Sequence, residues 1–158
     1  MSALAPLIDA YLAGPRTLLQ AFAGMTREQI VARPIPGKWS TLEVVCHLAD
    51  FDPIMADRMK RIIALDNPVL IGADENRFAV ALAYLERDIE EELAIIEHTR
   101  SQMARILRTL SPDALQRVGT HNERGPVTLE RMLTMTINHL PHHTQFILEK
   151  RRALGLSA

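Results

Sequence analysis

TLERMLTMTINHLPHHTQFILEKRR, residues 128–152, decides how this chain is read. Leu129, Met132, Leu133, Thr136, Leu140 and Ile147 recur at intervals of three and four, the spacing of one face of an α-helix. Thr128 has the character of an N-cap, and Lys150, Arg151 and Arg152 close the segment where the helix dipole favours positive charge. The spacing predicts a helix of about 25 residues ending before Gly155. On its inner stripe stand His139 and His143, with His142 and Pro141 between them.

Working outward, the same period governs most of the chain. Leu4, Leu7, Ile8, Tyr11, Leu12, Leu18, Leu19 and Phe22 form one stripe, with a kink expected at Pro15 and an end at Gly24. Thr26 and Gln29 match a capping box for a short helical turn. RPIPGKWS, residues 33–40, is a connector, because two prolines and a glycine forbid regular structure. Ser40 and Glu43 form a second capping box, which starts a helix at Thr41 that bends at Pro53 and reaches about Leu65. Residues 66–76 read as a loop, Val80–Leu110 as a third long helix, 112–117 as a short helix after Ser111-Pro112, and 118–127 as a loop. No strand alternation, repeat or low-complexity tract is evident. Four long helices in one domain spanning 1–158 predict an all-α, antiparallel four-helix bundle.

Composition narrows the function classes. Apolar residues make up 47% and charged residues 23% of 158, so the chain has enough core for a globular domain. A net charge of −1 with dispersed basic residues gives no field for nucleic acid or an anionic membrane. One cysteine, Cys46, excludes an internal disulfide and reads as a buried apolar residue rather than a nucleophile. The first residues lack a basic leader and carry Asp9, and no run is long enough to span a bilayer, so a soluble cytoplasmic protein is expected. Walker, G-x-G-x-x-G, G-x-S-x-G, C-x-x-C and H-E-x-x-H patterns are absent.

The histidines hold the chemistry. Residues four apart stack on a helix about 6 Å apart, so His139 and His143 can both reach one ion at about 2.0–2.1 Å. His142 is turned away by about 100°. Two core histidines satisfied by neighbouring hydroxyls or carbonyls are the alternative, and spacing alone leaves both open. A third ligand would come from His47, on the apolar part of the second helix among Val44, Leu48 and Phe51. His98 lies in a charged stretch and reads as solvated; His121 lies in a polar loop and reads as surface.

PGKWSTLEVVCHLADFD, residues 36–52, followed by VTLERMLTMTINHLPHHTQFI, residues 127–147, resembles the DinB/YfiT-like superfamily. The likeness rests on the Gly-Lys-Trp-Ser connector, a histidine seven residues after that serine, and a late helix bearing His139, His142, His143 and Gln145. The resemblance implies a bundle in up-down-down-up order with a long link between its second and third helices. It implies a divalent metal, Zn²⁺ or Ni²⁺, held by His47, His139 and His143, and a homodimer. It further implies a small-molecule substrate, with activity as a hydrolase or as an S-transferase using a low-molecular-weight thiol. His142 and Gln145 fit the pattern without being its usual ligands, and Pro141 departs from it.

Three ligands leave a position open, the mark of a catalytic rather than structural metal. Each imidazole then needs an acceptor for its far nitrogen, and Glu43, Asp50 and Asn138 are near enough in sequence to serve. The plainer alternative makes Glu43 a cap and Asp50 a solvated charge. Trp39 either lines the mouth of the site or pins the connector to the core. The rival function is a non-catalytic bundle, a dimerisation or small-ligand-binding module with a vestigial metal site.

Overall fold

A computed structural model describes residues 4–157. Its helices are α1 (Leu4–Phe22), α2 (Arg27–Val31), α3 (Thr41–Ala64), α4 (Glu75–Ala81), α5 (Ile89–Leu107) and α6 (Leu129–Ala153). Short strands β1 (Val69–Leu70), β2 (Val118–His121) and β3 (Gly125–Thr128) lie between them, with 3₁₀ turns at Tyr84–Glu86 and Pro112–Gln116. The capping boxes at Thr26 and Ser40 form as expected, and the Thr128 side chain accepts from the Arg131 amide. Pro15 and Pro53, where bends are expected, and Pro141 do not interrupt the helices, each of which runs through its proline.

The side-chain contacts fix the helix directions. Along α3, Cys46, Asp50, Asp52 and Lys60 meet Tyr84, Arg87, Arg100 and Gln102 in that order, so α3 and α5 run parallel. Gly14 meets Leu140, and Ala21 and Ala23 meet Arg151, so α1 and α6 are parallel too. His47 faces His139 while Phe51, Met55 and Arg58 line one cleft with Met135, Asn138 and His139, which makes α3 and α6 antiparallel. The order is therefore up-down-down-up, with α1, α6, α3 and α5 around the bundle.

Two expectations are corrected. Residues 66–76 and 118–127 are not simply loops: β2 pairs antiparallel with β3, and β1 pairs parallel with β2 through Val69 with Thr120 and Leu70 with His121. Strands of two and four residues, one containing Gly119 and one Pro126, are too short to show alternation. The sheet packs on α3, since a Cβ on Gly119 would lie 3.0 Å from Ile62 and 3.1 Å from Leu70. Nor is Val80–Leu110 one helix. Asp88 caps α5 by accepting from the Glu90 and Glu91 amides at 2.9 and 3.0 Å, after Ala83 has taken a left-handed φ of +49°.

At the bundle centre lies a charge pair with no exposed surface, Arg100 with Asp52. Arg100 Nη2 donates to Asp52 Oδ1 at 2.7 Å and to the Thr136 carbonyl at 3.0 Å, and Nη1 donates to the Tyr11 carbonyl at 2.8 Å. Its guanidinium also stacks on the Tyr11 ring, 4.6 Å from the centroid. One side chain thus ties α5 to α1, α3 and α6. Burial pushes the Asp52 carboxyl up, against the Arg100 charge that pulls it down.

Gly14 is what lets this pair fit. A Cβ there would meet Arg100 Nη1 at 2.5 Å and Leu140 Cδ2 at 3.0 Å, and the guanidinium cannot retreat from its three helices. Gly14→Ala would gain about 1 kcal/mol of helix propensity. Overpacking costs about 1–3 kcal/mol, and displacing a buried charge adds to it. A net loss of about 1–3 kcal/mol is expected, read as a lower urea midpoint with an unchanged slope.

Candidate metal centre

α3 and α6 cross antiparallel with their apolar faces together, which brings His47 from one against His139 and His143 from the other. His47 has no exposed surface; His139 and His143 are partly buried. The ring centroids stand 5.1 Å apart for His47 and His139, 4.6 Å for His47 and His143, and 4.7 Å for His139 and His143. One ring nitrogen of each lies within 4.8 Å of the others. The pair expected from α6 and the single residue expected from α3 are therefore brought together.

The arrangement fits a cation. The Nε2 atoms of His47 and His139 are 3.2 Å apart. Two ligands at 2.0–2.1 Å from one tetrahedral ion are separated by about 3.3 Å. Without an ion, the two rings share at most one hydrogen bond, and the Nδ1 atoms of His47, His139 and His143 are buried with no partner. With an ion on the Nε2 side of His47 and His139 their Nδ1 atoms would be donors still needing acceptors, so the fit rests on the Nε2 spacing and the three-imidazole donor set. The all-imidazole donor set suits zinc, copper, iron or nickel.

Electrostatics point the same way. Burial first, and neighbouring imidazoles second, lower all three histidines to about 3. At neutral pH the rings are uncharged, so no proton need leave before a cation binds. The shifts also set a pH dependence. An unfolded histidine titrates near about 6.5, so on acidification the unfolded chain takes up these protons before the folded one does. The metal-free protein is expected to lose stability as pH falls from about 6.5 toward about 3. Urea midpoints at pH 7 and pH 5 check this, and replacing His143 with glutamine should shrink the difference.

The remaining sequence candidates separate. Glu43 is a cap, paired to Arg33 and to the Ser40 amide. Asp50 is not solvated: it takes both Arg87 Nη atoms, at 3.0 and 2.9 Å. Neither they nor Asn138 accept from the imidazoles, because the far nitrogens have no partner. Cys46 is fully buried against the Tyr84 carbonyl, its thiol pushed up to about 12 by burial. His142 is exposed and its ring lies beside His143 and Phe146. His98 is exposed as expected, its Nδ1 2.6 Å from the Ala94 carbonyl. His121 is not a surface residue; it is 6% exposed at the end of β2. Trp39 does both things considered for it, packing on the core and lining a cleft 5.4 Å from the His47 ring.

Sequence reasoning missed Glu75. Its Oε2 lies 3.9 Å from His47 Nε2, and the side chain is 54% exposed. It sits on the shared wall of two clefts. One, of about 440 Å³, reaches His139; the other, of about 320 Å³, reaches His143. No periodicity could reveal it, because its position depends on the path of the chain from β1 to α4.

Comparisons with known proteins agree with this picture. The model of the DinB superfamily matches residues 10–147. A protein of Oceanobacillus iheyensis, provisionally named a metal-dependent hydrolase, is 30% identical over 133 residues, covering 84% of this chain and 77% of its own. YfiT of Bacillus subtilis, provisionally named likewise, is 28% identical over 144 residues, covering 90% and 81%. A solved structure of Bacillus subtilis YfiT, described as having an unusual four-helix-bundle topology, superposes with a TM-score of 0.91 at 27% identity, covering 99% of this chain and 91% of that one. Among the described residues no helix is long and apolar enough to cross a membrane. From the family match, the relatives and the shared topology, the chain belongs to the DinB superfamily.

Proposed function

We propose that the protein is a metal-dependent hydrolase whose divalent ion, zinc or nickel, is held by His47, His139 and His143. The observation that supports it most is the convergence of three uncharged imidazoles with Nε2 atoms of two of them 3.2 Å apart. Such an ion would supply Lewis acidity and a nucleophile ionised near neutral pH, at the position that three ligands leave open. The chain's own residues supply the rest. Phe51 and Trp39 pack on the His47 ring at 4.6 and 5.4 Å and hold its plane. Glu75 Oε2 is placed to accept a proton from a nucleophile arriving beside His47 Nε2. Clefts on both sides of Glu75 admit a small molecule.

The paired clefts also favour a second reading, transfer to a low-molecular-weight thiol, since a two-substrate reaction needs two approaches to one centre. Zinc-loaded protein assayed on esters, amides and lactones, with and without added thiol, separates the readings. Hydrolysis without thiol is expected, falling about 100-fold or more in Glu75→Gln with metal content unchanged. Turnover only with thiol would select the transferase. No turnover by fully loaded protein would leave the non-catalytic bundle.

A further inference from the structure

The site described above says nothing of what the larger cleft binds. Beyond His139 that cleft runs toward the sheet, past Met135, and opens into a recess of about 240 Å³. The two share Arg58, His121, Arg124, Arg131 and Met135. The recess is otherwise lined by Pro126, Val127 and Met132, and no carboxylate lines it.

Three guanidinium groups around one recess repel one another, and a fold does not gain from gathering them without counter-charge. None of the three makes an ion pair with any described acid. Arg58 is the unusual member, only 7% exposed. Its Nη2 donates to the Ile71 carbonyl at 2.5 Å and its Nη1 reaches Met55 Sδ at 3.5 Å, while its Nε is buried without a partner. A buried arginine normally has a carboxylate on it, as Arg100 has here. Burial, then the Arg124 charge, disfavours the Arg58 cation, against the smaller opposite pull of Glu123 and Asp57, neither of which pairs with it directly.

His121 completes the wall. Its Nδ1 accepts from the Glu123 amide at 3.2 Å, which assigns the proton of the neutral ring to Nε2 and makes that atom a donor. The acids of the wider cleft, Glu75 and Glu123, are both exposed. Glu123 packs on Gly72, where a Cβ would meet its carboxyl atoms at 2.6–2.8 Å.

We propose that this recess binds the oxyanion of a substrate, a carboxylate or a phosphate, on Arg58, Arg124, Arg131 and His121. The anion anchors a small molecule whose remaining length lies along the cleft toward His139. Forked guanidinium groups suit either oxyanion bidentately. The assignment of this anion as part of a substrate rests on the metal-dependent reading, but the anion site itself does not.

Calorimetric titration of the metal-free protein with succinate, with inorganic phosphate and with neutral succinamide tests it. Binding of succinate or phosphate, with a dissociation constant of about 1 mM or tighter, is expected, and none of succinamide. Which anion binds identifies the source. The double substitution Arg124→Ala with Arg131→Ala removes two exposed side chains, so folding is undisturbed; anion affinity should fall about tenfold or more while zinc stoichiometry stays the same. His47→Ala should bind the anion as the wild type does, which separates this site from the imidazoles. No binding of either anion by the wild type, equal affinity in the double variant, or loss in His47→Ala would each overturn the proposal.

Discussion

Replacing His139 with alanine is expected to lower affinity for zinc or nickel by more than about 100-fold and to leave purified protein with little metal. The partners that merely orient a ligand change affinity by about 10–100-fold, and loss of a ligand itself should exceed that. His47→Ala and His143→Ala should behave alike, because each ring gives one nitrogen to the same cluster. His142→Ala is the discriminating control. Its ring stands 5.1 Å from that of His143 but is exposed and outside the cluster. Metal titration by competition with a chromophoric chelator should show His142→Ala indistinguishable from wild type. Undiminished affinity in His47→Ala, His139→Ala and His143→Ala would mean that the protein binds metal elsewhere than on these three rings.

The second large effect concerns stability. Asp52→Ala leaves the Arg100 cation buried with only the Tyr11 and Thr136 carbonyls to hold it. Breaking a buried pair from one side costs about 3–5 kcal/mol, a large part of the roughly 5–15 kcal/mol that holds a typical domain together. Arg100→Met leaves Asp52 buried and should cost as much. The double change Asp52→Leu with Arg100→Met removes both charges and should recover part of the loss, because apolar side chains of similar size can replace an ion pair. Urea unfolding of the four proteins gives the coupling directly. Independent, additive costs for the two single changes would refute the tie drawn here across four helices.

The fate of these residues shows what the sequence could reveal. The long helices, their caps at Ser40 and Thr128, and the stacking of His139 over His143 follow from local periodicity, and the structure has them, with the third helix shortened to Ile89–Leu107. His47 is singled out by its place in an apolar helical stretch and then by family likeness, whereas spacing alone does not bring it to the pair, because nothing local says which helices touch. No motif marks Arg100 or Asp52, yet a signal lies in the helical register. Arg100 falls in register with Ile96, Met103 and Leu107, and Asp52 with Leu48, Met55, Met59 and Ile62, all buried. A charge in an apolar stripe is expensive unless it is paired, and two such charges on two helices point to each other. The sheet left no comparable trace. Its pairing joins segments about 50 residues apart, Val69 with Thr120, through strands too short for alternation. His121 was misplaced for that reason, and Arg58, Arg124 and Arg131 could be seen as a group only once the sheet had brought them around one recess.

The most direct measurement is X-ray absorption at the zinc edge on untagged protein loaded with one equivalent of metal. The expected spectrum has three imidazole nitrogens at about 2.0–2.1 Å, with a further light-atom scatterer in the open position. In His139→Ala the imidazole contribution should drop to two or the metal should be lost. A wild-type protein that takes up less than about a tenth of an equivalent, or a shell without imidazole scattering, would contradict a metal centre built from His47, His139 and His143.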